Sequence, residues 1–127
     1  EIQGIARRKL RQRPPVIAVS AETHRGVRDL LATVAALDAL YRAHISTRAL
    51  NRALAELAAD RALPQKHGKR LKMYYIAQFA TSPPRIAIEI NDRTLVTRDF
   101  GYYVENRLRS QFGLEGVPLV IDFKGKR

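Results

Sequence analysis

The chain has no cysteine among its 127 residues, which excludes disulfides and thiolate metal sites and leaves a reducing compartment open to it. Long apolar runs are missing too. The longest, LLATVAAL at 30–37, is too short to cross a bilayer. The opening residues, EIQGIARRKLR, carry no signal-peptide pattern, so a soluble, cytoplasmic chain is expected. Acidic residues are scarce, 12 against 23 lysines and arginines, and the formal charge is +11. Such an excess in a small chain is the electrostatic footprint of a polyanion binder. His24, His44 and His67 stand without i, i+4 or H-x-x-H spacing, so no metal site is expected. Ser20, Ser46, Ser82 and Ser110 have no histidine and carboxylate pattern near them. Neither internal repeats nor low-complexity segments occur. A hydrophobic share of 46% suffices for one small core.

What is present divides near residue 45. Residues 2–11 predict a weak helix with a basic face, ended by Pro14-Pro15. VIAVSA at 16–21 reads as a buried strand. Over 26–41, Val27, Leu30, Leu31, Val34, Leu37 and Tyr41 fall on one stripe of a helix. Strand, turn and helix make half of a parallel α/β unit, yet no partner strands precede them. The apolar stripe of helix 26–41 is therefore expected to pack on the rest of the chain or to self-associate.

The second part reads as a complete α+β unit. Ser46 or Thr47 caps a helix over 48–59, with Leu50, Leu54 and Leu57 inward and Arg48, Asn51, Arg52 and Glu56 outward. Pro, Gly and basic residues predict a loop over 60–69. In strand 71–79 the period of two groups Leu71, Met73, Tyr75, Ala77 and Phe79 on the core face, with Lys72, Tyr74, Ile76 and Gln78 on the other. After the TSPP turn, strand 85–91 puts Ile86, Ile88 and Ile90 on one face. A short helical segment at 94–100, a longer one at 102–112 ended by Gly113, and a last strand LVIDFK complete the order α-β-β-α-α-β. Three strands with one apolar face each call for helices on that face alone, a two-layer sandwich.

This order resembles a type II KH-like domain. The residues go further. ISTRALN at 45–51, GKRLKMYYIAQ at 68–78, PPRIAIEIN at 83–91, YVENRLR at 103–109 and GVPLVIDFK at 116–124 resemble the C-terminal part of the bacterial double-domain Era-like GTPases, the EngA/Der family. Upstream, VSAETHRGV at 19–27 is similar to the last nucleotide-binding motif and final helix of their second GTPase domain. The resemblance implies a remnant of that domain over 1–45 and a KH-like domain over 46–127. It implies that Ala21 offers a backbone N–H to a guanine oxygen while Ser20 holds the loop. GTP or GDP with Mg would belong to the parent protein, a GTPase. This sequence has no G-x-x-x-x-G-K-[ST] loop and no N-K-x-D, so it is not expected to turn over nucleotide alone. DFKG at 122–125 matches a switch pattern by coincidence, since no phosphate loop precedes it.

Typical KH domains clamp a nucleic-acid backbone with a GXXG loop. RDFGYY at 98–103 stands in that place with Gly101 as its one glycine. What remains for RNA is charge and aromatics. Lys66, Lys69, Arg70 and Lys72 cluster at the first strand, Lys124, Lys126 and Arg127 end the last, and Arg48 and Arg52 face outward on the first KH-like helix. Strands neighbouring in one sheet would join these groups into a phosphate-contacting surface, with Tyr74 placed to stack on a base and Tyr75 in the core. The resemblance implies ribosome biogenesis at the large subunit, contact with ribosomal RNA, packing on the GTPase domains, and a ribosome-associated location. A protein-interaction module that regulates the nucleotide domains without touching RNA is the competing expectation.

Overall fold

The computed structural model of the chain describes residues 4–5, 9–60 and 62–125. Helix α1 spans Val27–Tyr41 and α2 Thr47–Asp60; short strands β1 (Gln65–Lys66) and β2 (Lys69–Arg70) follow, then β3 (Met73–Ala80) and β4 (Arg85–Ile90). A 3-10 turn at Arg93–Leu95 leads to α3 (Arg98–Gln111), and β5 (Val120–Gly125) closes the order. The main sheet runs β3-β4-β5, antiparallel between β3 and β4 and parallel between β4 and β5.

Strand β4 is central, and its alternation predicts what it does. Ile86, Ile88 and Ile90 are fully buried, each side chain adding about 1.5–3 kcal/mol of hydrophobic stabilisation relative to exposure. In register, Ile88 pairs with Ile76 of β3 and Phe123 of β5, Ile86 with Ile121 of β5, and Ile90 with Met73 of β3. Leu50, Ala53, Leu54 and Leu57 of α2 and Phe100, Val104 and Leu108 of α3 cover this face. The expected two-layer α+β arrangement is present.

Several local expectations are corrected. The face assignment of β3 fails because register shifts lie between Met73 and Tyr75 and between Gln78 and Ala80. An extra residue in one strand inverts side-chain parity beyond it. Leu71 and Met73 point inward, but past the bulge it is Ile76 and Gln78 that are buried, while Tyr75 and Phe79 are 45% and 51% exposed. Gln78 is accommodated by its bonds: Nε2 donates to the carbonyls of Ala43 and Ala80 at 2.8 and 3.0 Å, and Oε1 accepts from Ile45 N at 2.7 Å. The two helices expected over 94–112 are one 3-10 turn and one continuous helix, because Thr97 caps α3 by accepting from Phe100 N at 3.1 Å. The loop expected over 60–69 contains the β1–β2 hairpin.

The VIAVSA segment is not a strand. Among the described residues no neighbouring strand pairs with it, and Val19 is half exposed; backbone groups in a strand need such a neighbour. Helix α1 forms as expected and divides its stripe. Leu37, Leu40 and Tyr41 pack on the core, while Leu30, Leu31 and Val34 stay exposed. Of the basic helix expected over 2–11, residues 2–3 and 6–8 lie outside the described residues; Gly4, Ile5 and Lys9 are helical, and Leu10 and Arg11 are not. Arg11 at its end donates from Nε to Glu105 of α3 at 3.0 Å, and Gln12 O accepts from Gly116 N at 2.5 Å. These bonds fasten the N-terminal segment to the α+β unit.

Candidate nucleic-acid interface

The β1–β2 hairpin is a short cationic finger. Lys66 pairs with Lys69 and Gln65 with Arg70, and the turn residues His67 and Gly68 have φ of 53° and 76°. Positive φ at both central positions is the type I′ geometry that suits the twist of a two-residue hairpin. Gly68 adopts it freely. Lys66, His67, Lys69 and Arg70 are all exposed.

Asn91 clamps the root of this finger to the end of β4. Its Nδ2 donates to Arg70 O at 2.9 Å, its Oδ1 accepts from Lys72 N at 2.9 Å, and its own N–H donates to Lys72 O at 3.1 Å. Below, Leu71 is fully buried, so the finger stands on a hydrophobic plug.

Asp92 follows and organises the next turn. It accepts from the Thr94 hydroxyl at 2.7 Å, from Thr94 N at 2.9 Å and from Lys69 Nζ at 3.1 Å. The Thr94 hydroxyl, then the Thr94 backbone N–H, then Lys69 hold its carboxyl down at a pKa of about 2. Arg93 is thereby presented outward. Gly125 of β5 passes close to it: a Cβ at Gly125 would meet Arg93 Cβ and N at 3.3 Å.

A cleft of about 590 Å³ results, with Lys69, Arg93 and Lys124 on its walls and Asp92 as its carboxylate. A second depression joins Arg93 and Lys124 to Arg85, and a third joins Lys66 and His67 to Lys69. The cations thus form a continuous track from the hairpin across the end of β5. Arg85 bonds Asp122 at 3.1 Å within it. Chemically the track suits phosphates, which several fixed cations bind without reading bases.

The structure brings together Lys66, Lys69 and Lys124. Arg70 and Lys72 are exposed at the finger's root, and Tyr74 is 51% exposed on the β3 bulge. Arg48 and Arg52 are exposed on α2 and do not line the cleft. Lys126 and Arg127 lie outside the described residues. Arg93 and Arg85 are the cations that sequence reasoning missed. The available signal for Arg93 was N-D-R-T after a strand, an Asp positioned to cap a turn. Residues 98–103 form the start of α3, not a loop, and the link before it, Val96-Thr97, has no glycine.

In the N-terminal part Ser20 Oγ accepts from Thr23 N at 3.3 Å and Ser20 N donates to Arg25 O at 2.9 Å, so Ser20 holds a turn with Ala21 exposed upon it. Among the described residues no group of three or more His, Asp or Glu side chains is placed to hold a metal ion. No described helix is long and apolar enough to cross a membrane.

Residues 44–124 match the family described as KH-domain-like of EngA bacterial GTPase enzymes, C-terminal. The chain is similar to the GTPase Der of Desulforudis audaxviator, 40% identical over 110 residues that cover 87% of this chain and 25% of the relative. It is also similar to the GTPase Der of Helicobacter hepaticus, 37% identical over 112 residues covering 88% of this chain and 23% of the relative. The chain spans about a quarter of the length of the curated relatives it matches.

Proposed function

The chain belongs to the family of KH-like C-terminal domains of EngA bacterial GTPases, and on that premise we propose that it is the RNA-contacting part of a GTPase acting in large-subunit ribosome assembly. In this reading residues 1–45 end a second GTPase domain and 46–127 form the KH-like module. The module meets ribosomal RNA and packs on the GTPase domains of the same protein, in the cytoplasm and on the ribosome. The observation that carries the RNA contact is the meeting of Lys69, Arg93 and Lys124 in one cleft, from three elements distant in sequence. Without a glycine pair before α3, backbone amides do not form the usual KH clamp. Side-chain cations take over phosphate binding.

GTP or GDP and Mg belong to the parent in this reading. Ser20 and Ala21 fit the guanine loop, since Ser20 stabilises a turn that leaves Ala21 exposed. The phosphates and the metal find no partners of their own here, because the sequence has no phosphate loop. Nucleotide turnover is therefore assigned to a protein that carries one.

Binding to a ribosomal RNA fragment as a function of salt tests the proposal. Engagement of about five phosphates gives a slope of log K against log salt near −4. Lys69→Ala and Lys124→Ala each reduce that slope by about one. A flat salt response, with no crosslink from RNA to Lys69 or Arg70, favours the module as a protein-docking piece that regulates the nucleotide domains. The exposed Leu30, Leu31 and Val34 on α1 are the observation on that side.

A further inference from the structure

The helix-free face of the main sheet carries a second feature that the phosphate cleft does not use. Beyond the β3 bulge, Tyr75 and Phe79 stand outward, about half exposed, and Ala77 and Ala87 pair between them as a low floor. Along a strand, residues four apart lie about 13 Å from each other, so the two rings are separate platforms and not a stacked pair. The cations gather on Phe79. Arg85 lies 5.3 Å and Lys124 Nζ 5.4 Å from its ring centroid, inside the range of cation–π attraction.

Lys124 belongs to both places: it lines the phosphate cleft and it reaches the ring. Arg85 does the same through the neighbouring depression. Of the carboxylates on this face, Asp122 is matched by Arg85, and Glu89 stands exposed between Tyr75 and Lys124, its register partners on β3 and β5. The outward positions of β3, β4 and β5 hold no leucine, isoleucine or methionine, the side chains that a partner helix would interlock with. Flat rings beside cations that continue a phosphate track suit an unpaired nucleic-acid strand, whose bases have π faces and whose backbone is anionic.

We infer that this sheet face is a base-stacking platform for single-stranded RNA, with Phe79 and Tyr75 stacking on bases while Lys124 and Arg85 hold the adjoining phosphates. The inference rests on the RNA reading above and adds to it the chemical class of partner: an unpaired strand, held by its bases as well as its backbone. It also moves the stacking role from Tyr74 to Phe79 and Tyr75.

The test uses the full chain, a 12-nucleotide RNA without self-complementarity, and inorganic polyphosphate as a polyanion without bases. Phe79→Leu and Tyr75→Leu keep an apolar side chain at exposed positions, and a thermal melt confirms that each variant folds. The platform predicts that each substitution weakens RNA binding by about five- to a hundredfold, leaves the salt slope unchanged, and leaves polyphosphate binding unchanged. Equal RNA affinity of both variants and the wild type overturns the platform while the phosphate cleft stands. A parallel loss of polyphosphate binding overturns it as well, because the rings would then act only by placing Lys124. Failure of the wild-type chain to bind either polyanion overturns both readings.

Discussion

Glu105 and Arg109, one turn apart on α3, bond at 2.9 Å with side chains only 6% and 2% exposed. A buried arginine of this kind is tolerable only while its charge is matched. Arg109 also donates to the carbonyls of Arg11 and Val117, both at 3.3 Å. On the outer side Arg11 reaches the same carboxylate, and the hydrogen bond to Glu105 raises the pKa of its guanidinium. One carboxylate thus serves two arginines, one from the module and one from the segment before α1.

Glu105→Gln keeps the shape and removes the charge, so Arg109 is left buried and unmatched. The expected cost is about 3–5 kcal/mol of unfolding free energy, read from urea denaturation. Arg11→Ala costs far less, about 1 kcal/mol, because Arg11 is 55% exposed in its side chain. Equal effects of the two substitutions would show that Glu105 matters only to the N-terminal segment.

Gly116 is placed where a side chain does not fit. Its φ is 92°, and a Cβ there would lie 2.7 Å from Leu37 Cδ2 and 3.0 Å from Pro15 Cδ. Gly116→Ala combines a left-handed backbone penalty of about 1–2 kcal/mol with contacts that the Leu37 methyl and the Pro15 ring must yield to, loosening the seat of α1 on the module. Hydrogen exchange is expected to rise in α1 and to stay slow in β4.

The Asp92 carboxyl offers a pH readout. With a folded pKa of about 2, below the ordinary value of about 3.9, it contributes stability that is complete above pH about 4. That contribution disappears as pH falls from about 4 to about 2. An NMR titration of the Asp92 side chain is expected to show a midpoint near 2. Asp92→Asn keeps an oxygen to cap Thr94 and deletes the cleft's carboxylate. It should tighten RNA binding several-fold at low salt and remove the acid-side loss of stability that Asp92 contributes.

The architecture was legible where local pattern and tertiary demand agree. Ile86, Ile88 and Ile90 alternate because a central strand has one core face, and Leu50, Leu54 and Leu57 fall on one stripe of α2. It was illegible at β3, where a bulge changes the parity between Met73 and Tyr75. No composition rule marks that bulge, and it decides which aromatics meet solvent. VIAVSA has strand propensity, but propensity supplies no hydrogen-bond partner. In the candidate interface the lysines were legible as charge. Their meeting was expected through neighbouring strands of one sheet, and the route is different, since β2 and β5 lie in separate sheets. The finger's root at Asn91 continues β4, whose last residue, Ile90, pairs with Gly125 of β5. Arg93 enters only through that junction.

The parallel pairing of β5 beside β4 has a consequence for biosynthesis. The two strands are joined by the whole of α3, so Ile86 and Ile88 wait for Ile121 and Phe123 while some thirty intervening residues are made. A nascent chain halted before Val120 carries helices and a β3–β4 hairpin with one open, hydrophobic edge. Such long-range closure is slow and aggregation-prone until complete. The same last strand brings Lys124, so the cationic cleft and the sealed core arrive in one event, and a module halted just short of its last strand lacks both.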